Sequence, residues 1–186
     1  MPTIITHSVF AIALAHLFKL SELPRHFWLL AIICSILPDL DVIGFKFGVA
    51  YADPWGHRGM THSLSFAVVT SLLVVFIFFW QVRFRHIRTR LFIFYFLVTA
   101  SHGVFDALTN GGLGIAFFAP FDNGRYFFPF QPIEVSPIGL KNFLTERGLT
   151  VLLSEIYWLI LPSLGLMLIV KVIRRKISTA KEPSDR

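Results

Sequence analysis

The 186-residue sequence has a single cysteine, Cys34, which excludes an intrachain disulfide and a cysteine-rich zinc module. Charged residues are also scarce, at 15% of the chain, whereas hydrophobic residues make up 55% and mean hydropathy is +0.68. This balance is not that of an ordinary soluble domain. The length predicts about one domain, so we expect a membrane-embedded unit over residues 1–177 and a short polar cytoplasmic tail over 178–186.

Five segments are apolar enough to be membrane helices, since a crossing takes about 20 mostly apolar residues. Two are clear, at residues 63–82 and 149–172, and three carry His or Asp at one end, at residues 4–18, 27–45 and 91–108. The fold class we predict is all-α, a polytopic membrane bundle of about five transmembrane helices with a metal site at one membrane face.

The basic residues predict the orientation of this bundle. Five crossings place the loops near residues 19–25 and 83–90 and the C-terminal tail on one side, with twelve of the 17 Lys and Arg residues. By the positive-inside rule that side is cytoplasmic. The net charge of +6 therefore reads as a topology signal, and we expect no nucleic-acid partner. The aromatic stretch at residues 117–137 is neither periodic nor long enough to span, and we interpret it as an interfacial loop.

Ionisable residues inside apolar helices are costly and are functional candidates by default. Here they gather at the outward ends of the predicted helices, which independent structural roles would not produce. His102 and Asp106 are four residues apart and share a helix face. Asp39 and Asp41 are two apart, beside Pro38, where an irregular helix end lets both turn inward. The full candidate set of metal ligands is His7, Asp39, Asp41, His57, His62, His102, Asp106 and Glu155.

Four imidazoles and four carboxylates are too many for one ion and about right for two, since a catalytic zinc takes about three protein ligands. The absence of thiolates disfavours copper(I), and the mixed His and Asp donors suit Zn²⁺, Mn²⁺ or Fe²⁺. Zinc is our first choice of cofactor, with two ions favoured.

The chain resembles the YdjM-type family of bacterial inner-membrane-associated, metal-dependent hydrolases. The matching pieces are THSVFAIA, SILPDLD, GHRGMTHSL, SHGVFDALTNGG, FDNGRYFFPF and PIEVSPIG, in this order over about residues 6–140. The C-terminal third matches loosely, through Glu155 in SEIYW. The resemblance implies a metal site and an inner-membrane location. The family also carries a LexA-binding label, for which this sequence shows no repressor-binding surface.

The predicted activity is hydrolysis of a phosphoester by metal-activated water, on a lipid or headgroup at the periplasmic face. Arg58 and Arg125 are the candidates to hold phosphate oxygens, because guanidinium groups match them bidentately. Glu134 or a carboxylate of the metal site is the candidate proton acceptor. The alternatives are a serine nucleophile beside a ligand histidine, a metal transporter, and a membrane subunit whose metal serves as a structural staple.

Overall fold

The computed structural model describes residues 1–18, 20, 23–137 and 140–179, and these form helices and irregular segments with no β-sheet strand among them. Lys19, Glu22 and most of the predicted polar tail lie outside the described residues. The helices, in chain order, are α1 (Ile4–Leu17), α2 (Arg25–Ile36), α3 (Leu64–Phe78), α4 (Arg88–Ala107), α5 (Leu140–Phe143), α6 (Glu146–Glu155) and α7 (Leu161–Thr179). The prediction of an all-α chain is confirmed for this part of the sequence.

Helix α4 is central, since it packs against α1, α2 and α3. The core between them is largely aromatic: Phe27 of α2 contacts Phe94 and Tyr95 of α4, with ring centroids 5.0 and 5.9 Å away. The Tyr95 hydroxyl donates to the Phe27 carbonyl at 3.2 Å, which satisfies a buried polar group in this apolar setting. This packing holds the start of α2 against the first half of α4.

Within the described ranges, two helical segments are long and apolar enough to cross a membrane, Arg25–Phe47 and Glu146–Lys176, and α1 and α3 are apolar but shorter. Each of the five predicted segments coincides with a helix. Helices α3 and α7 turn apolar faces outward through Val69, Leu72, Leu73, Phe76 and Ile77 on α3 and Leu168, Ile169, Val172 and Ile173 on α7. Five crossings remain a prediction.

Two departures from regular α-helix lie close to predicted site residues. Helix α2 tightens into a 3₁₀-helix, Leu37–Phe47, with Pro38 in its first turn, as the sequence predicts. Between α6 and α7 the chain forms a π-helical turn, Ile156–Ile160, immediately before Pro162. Proline lacks the amide hydrogen for the regular helical bond, and a π-turn accommodates that loss.

The segment after α4 folds back over the end of that helix. Isolated bridges pair Thr109 with Ile133 and Ile115 with Tyr126. Gly112 has φ +89°, and a Cβ there would lie 2.6 Å from Arg58 Nη1. A side chain at this position would therefore clash with the guanidinium that the loop encloses.

Candidate metal centre

Four buried or nearly buried side chains from three elements converge at one end of the bundle. Asp39 comes from the 3₁₀ continuation of α2, His62 from the 3₁₀ turn Met60–His62 before α3, and His102 and Asp106 from α4. One donor atom from each lies within 4.8 Å of the others. Asp39 Oδ1 is 3.1 Å from His102 Nε2 and 3.6 Å from His62 Nε2, which in turn is 3.5 Å from Asp106 Oδ2.

The facing atoms of this group have no hydrogen-bond partner among the described residues. They are Asp39 Oδ1, His62 Nε2, His102 Nε2 and both carboxylate oxygens of Asp106. Native proteins rarely leave buried polar atoms unsatisfied, so such a cluster needs an explanation. Ligands about 2.1 Å from a tetrahedral zinc are about 3.4 Å from one another. Three of the six donor separations, at 3.1–3.6 Å, fit that spacing, and all six are within 4.8 Å, so the residues fit a metal ion.

The outer hydrogen bonds of the two histidines set their ring orientation. His102 Nδ1 lies 2.8 Å from the carbonyl oxygen of Ser35, and a carbonyl only accepts, so Nδ1 carries the hydrogen. His62 Nδ1 donates to the Thr61 hydroxyl at 3.1 Å, since the hydrogen of that hydroxyl goes to Asp41, and it lies 3.2 Å from Asp41 Oδ2. Both Nε2 atoms are then lone-pair donors aimed into the cluster, the usual support for a metal-binding histidine.

Asp41 acts on this group from outside. One of its oxygens accepts from His57 Nδ1 at 2.7 Å, and the other accepts from the Thr61 hydroxyl at 2.7 Å and from the Arg58 amide at 3.2 Å. Asp41, His57 and His62 form a second close group of potential donors. Because both Asp41 oxygens already accept hydrogen bonds, this group is better suited to orienting His62 than to holding an ion.

Arg58 lies against the cluster, although the sequence suggested a substrate contact. It is 1% exposed, has φ +67°, and its Nε lies 3.4 Å from Asp106 Oδ2. Its Nη1 donates to the Gly111 carbonyl at 2.6 Å and its Nη2 to the Thr109 hydroxyl at 3.0 Å. The guanidinium thus offsets carboxylate charge and ties down the loop after α4.

His7 borders the cluster without joining the four-residue group. Its ring stacks on His102 with centroids 3.9 Å apart and an angle of 17° between the planes. It is 2% exposed, and neither ring nitrogen has a hydrogen-bond partner in the described part of the chain. His7 therefore remains a candidate for a further donor.

Glu155, another predicted ligand, lies outside the donor cluster. Its carboxylate accepts from the Thr3 amide at 2.7 Å, from the Thr3 hydroxyl at 2.6 Å and from the Thr6 hydroxyl at 2.6 Å. These groups belong to the start of α1, where unpaired amides favour a negative charge. The structure makes Glu155 a clamp between α6 and α1 and leaves it outside the donor group.

The two other sequence candidates for catalysis are also held by their own partners. Glu134 pairs with Arg147 at 2.8 Å, and the two side chains are 30% and 46% exposed. Arg125 donates to the carbonyls of His57, Tyr51 and Asp53 at 2.9, 3.2 and 3.0 Å. Arg125 thus holds in place the loop that carries His57. Tyr51 lies in the same loop, and its partial burial raises the pKa of its hydroxyl.

Local hydrogen bonds correct one detail of the sequence interpretation. Thr61 stands shortly before the apolar run and is therefore a sequence candidate for the cap of α3, but Ser63 caps the helix, accepting from the Phe66 amide at 3.1 Å. Thr61 binds Asp41 instead. Sequence reasoning missed this contact and the Ser35 carbonyl behind His102. The position of Ser63, directly before the apolar run, was the signal for the cap.

Comparison with known proteins gives a consistent result. The model of a family described as YdjM inner membrane protein matches residues 1–178. The sequence is also 41% identical to the inner membrane protein YbcI of Escherichia coli (strain K12) over 167 residues, which cover 90% of this chain and 95% of that protein. No solved structure matches the chain.

Proposed function

The chain belongs to the YdjM inner membrane protein family, and from this membership and its buried donor cluster we propose that it is a metal-dependent membrane hydrolase. Asp39, His62, His102 and Asp106 hold the metal. The observation that carries the proposal is the convergence of their unpartnered donor atoms at metal-ligand spacing.

We propose one divalent ion in place of the two favoured from the ligand count. In the second group both Asp41 oxygens and His57 Nδ1 are already hydrogen-bonded, with Asp41 and His57 2.7 Å apart. Oxygen and nitrogen donors suit Zn²⁺ first and Mn²⁺ or Fe²⁺ next. An ion bound there would supply Lewis acidity towards water and a phosphoryl oxygen.

The side chains around the cluster have distinct roles in this proposal. Asp39 is 11% exposed while His62, His102 and Asp106 are fully buried, so substrate and water reach the centre from the Asp39 side. The Asp39 carboxylate accepts the proton of the attacking water. Arg58, 3.4 Å from Asp106, offsets its negative charge, and its terminal nitrogens hold the loop after α4 through the Gly111 carbonyl and the Thr109 hydroxyl.

A phosphoester of a lipid or headgroup is the proposed substrate. The centre lies where α2 and α4 end, beneath an aromatic loop, and such loops sit at headgroup depth. The apolar outward faces of α3 and α7 support a multi-pass placement in the inner membrane. The basic loops support a cytoplasmic C-terminus and a centre that faces the periplasm.

A metal staple without hydrolase activity is the second candidate. Four protein donors, three of them fully buried, suffice to close a tetrahedral shell, which is typical of structural zinc sites. A transporter is less suited to these ligands, which lie at helix ends and not near mid-helix.

One experiment tests both candidates. The wild type, Asp39→Ala, His102→Ala and the exposed control Glu146→Gln are purified in detergent, their metal content is measured, and phosphate release from lipid phosphoesters is assayed. Metal and turnover that are lost in both alanine variants and kept in the control support the hydrolase. Metal without turnover in the wild type favours the staple, and a wild type that binds no metal overturns both.

A further inference from the structure

A basic groove lies between α1 and α7 at the end of the bundle opposite the metal centre. On α1, His16 is nine residues beyond His7, about 14 Å along the helix axis. On α4, Arg90 precedes Asp106 by 16 residues, about 24 Å. The groove is therefore remote from the metal ligands and independent of the proposed hydrolysis.

The residues that line the groove change from apolar to cationic along α7. It encloses about 430 Å³ and runs beside His16, with its α7 wall formed by Met167, Leu168, Val170, Lys171, Arg174 and Arg175. Met167, Lys171 and Arg174 follow i, i+4, i+7 spacing and share one helix face. The apolar residues lie towards the middle of the helix and the cations towards its end, in the order that an amphiphile requires.

The side chain of Arg174 is held in place by hydrogen bonds to the end of α1. Its Nη1 donates to the His16 carbonyl at 2.6 Å and its Nη2 to the Leu17 carbonyl at 2.7 Å, which satisfies acceptors at the C-terminus of α1. It also borders an adjoining cavity of about 440 Å³ with Leu17, Phe18 and Arg90. Among the described residues that line these two cavities, none is acidic.

We propose that an anionic phospholipid binds in this groove. One acyl chain lies along Met167 and Leu168, and the phosphodiester lies against the ammonium of Lys171, next to the charge of Arg174, whose terminal nitrogens stay on the α1 carbonyls. Basic pockets between membrane helices are suited to anionic headgroups, and each Lys or Arg near the headgroup adds to the attraction. The long cationic side chains reach the interface while their stems cover apolar surface.

A rival cavity between α3 and α4 has less to offer an anion. It encloses about 460 Å³, and Arg88 is the one cation among the described residues that line it. The Arg88 guanidinium lies 4.3 Å from the Trp80 ring centroid and donates to the carbonyls of Trp80 and Gln81. The Arg88 guanidinium is thus already engaged, and no second cation stands beside it among the described lining residues. In the α1–α7 groove the terminal nitrogens of Arg174 are likewise held by carbonyls, but the exposed ammonium of Lys171 lies beside it.

The test measures lipid retained by the full chain in detergent, by native mass spectrometry. The probes are phosphatidylglycerol and phosphatidylcholine with identical acyl chains. We expect selective retention of phosphatidylglycerol, reduced about fivefold in Lys171→Gln, the equivalent of one headgroup contact. Met167→Trp, which fills the groove without changing charge, reduces retention as well. Arg83→Gln, an equal loss of exposed positive charge outside the groove, leaves it unchanged.

Three outcomes would overturn the inference: equal retention of the two lipids, equal losses in Lys171→Gln and Arg83→Gln, or displacement of the lipid by inorganic phosphate alone. Metal content is measured in the same samples. Because the groove is remote from the ligands, Lys171→Gln keeps the metal, so failure here is distinguishable from failure of the proposed function.

Discussion

Replacing Asp39 and Asp41 separately by asparagine tests which of the two carboxylates binds the metal. The two residues have the same side chain and are two positions apart in the sequence. Replacement by asparagine preserves side-chain volume at both. Asp39 Oδ1 faces His102 Nε2 at 3.1 Å without a hydrogen bond, whereas both Asp41 oxygens accept hydrogen bonds. We expect Asp39→Asn to weaken metal binding more.

The sizes of the two effects follow from these roles. Four-ligand zinc sites bind with about 10–16 kcal/mol, so one of four ligands accounts for about 3 kcal/mol, or a 100- to 1,000-fold change in Kd. Loss of a residue that only orients a ligand costs about 10- to 100-fold. Asp41→Asn belongs in this second class, because it weakens the hold on His62 Nδ1 while leaving Nε2 in place.

The assay is competition with a chromophoric chelator in detergent, with thermal unfolding of each variant recorded in parallel. Asp53→Asn, an exposed loop carboxylate, is the control and should bind as the wild type does. If Asp41→Asn lost more affinity than Asp39→Asn, the ion would belong to the Asp41 and His57 group, and the assignment of ligands would be refuted.

Three further predictions test the surroundings of the centre. Thr6→Val removes one of the hydrogen bonds to Glu155 and should lower the free energy of unfolding by about 1–3 kcal/mol in thermal or denaturant melts, with metal content unchanged. Glu134→Gln breaks a partly exposed ion pair, so it should cost less than about 1 kcal/mol and leave turnover per bound metal unaltered; a large loss of turnover would restore Glu134 as the proton acceptor. Removing metal with a chelator should lower Tm, since an ion at 100 times its Kd stabilises the fold by about 2.7 kcal/mol, and acidification should do the same because histidine ligands then take up protons. An unchanged Tm on chelation would contradict a metal site in the fold.

The sequence was sufficient for the helices and for the neighbourhood of the donors, because both depend on local pattern. Apolar runs predicted helices near their observed positions, and Pro38 predicted the irregular end of α2. The four-residue spacing of His102 and Asp106 placed them on one face of α4, where the structure brings both into the group. These features need only the geometry of a single helix.

Which of Asp39 and Asp41 faces the donor cluster depends on tertiary structure. A 3₁₀-helix has three residues per turn, so residues two apart point in different directions. Asp39 therefore faces His102, and Asp41 faces His57 and Thr61. Glu155 shows the same limit, since its partners at the start of α1 follow from how two distant helices pack. Periodicity carries no information on either pairing.

The charge balance of the cluster favours a divalent cation over protonated histidines as the group that completes it. Asp39 and Asp106 bring two negative charges, and Arg58, 3.4 Å from Asp106, offsets one of them. A proton on Nε2 of His102 or His62 would be expected to form a buried, charge-assisted hydrogen bond, which is typically about 2.7–2.9 Å long and well aligned. The observed contacts of these atoms are 3.1–3.6 Å and unaligned, which leaves lone pairs facing lone pairs. Such an arrangement is repulsive unless a positive ion lies between the donors.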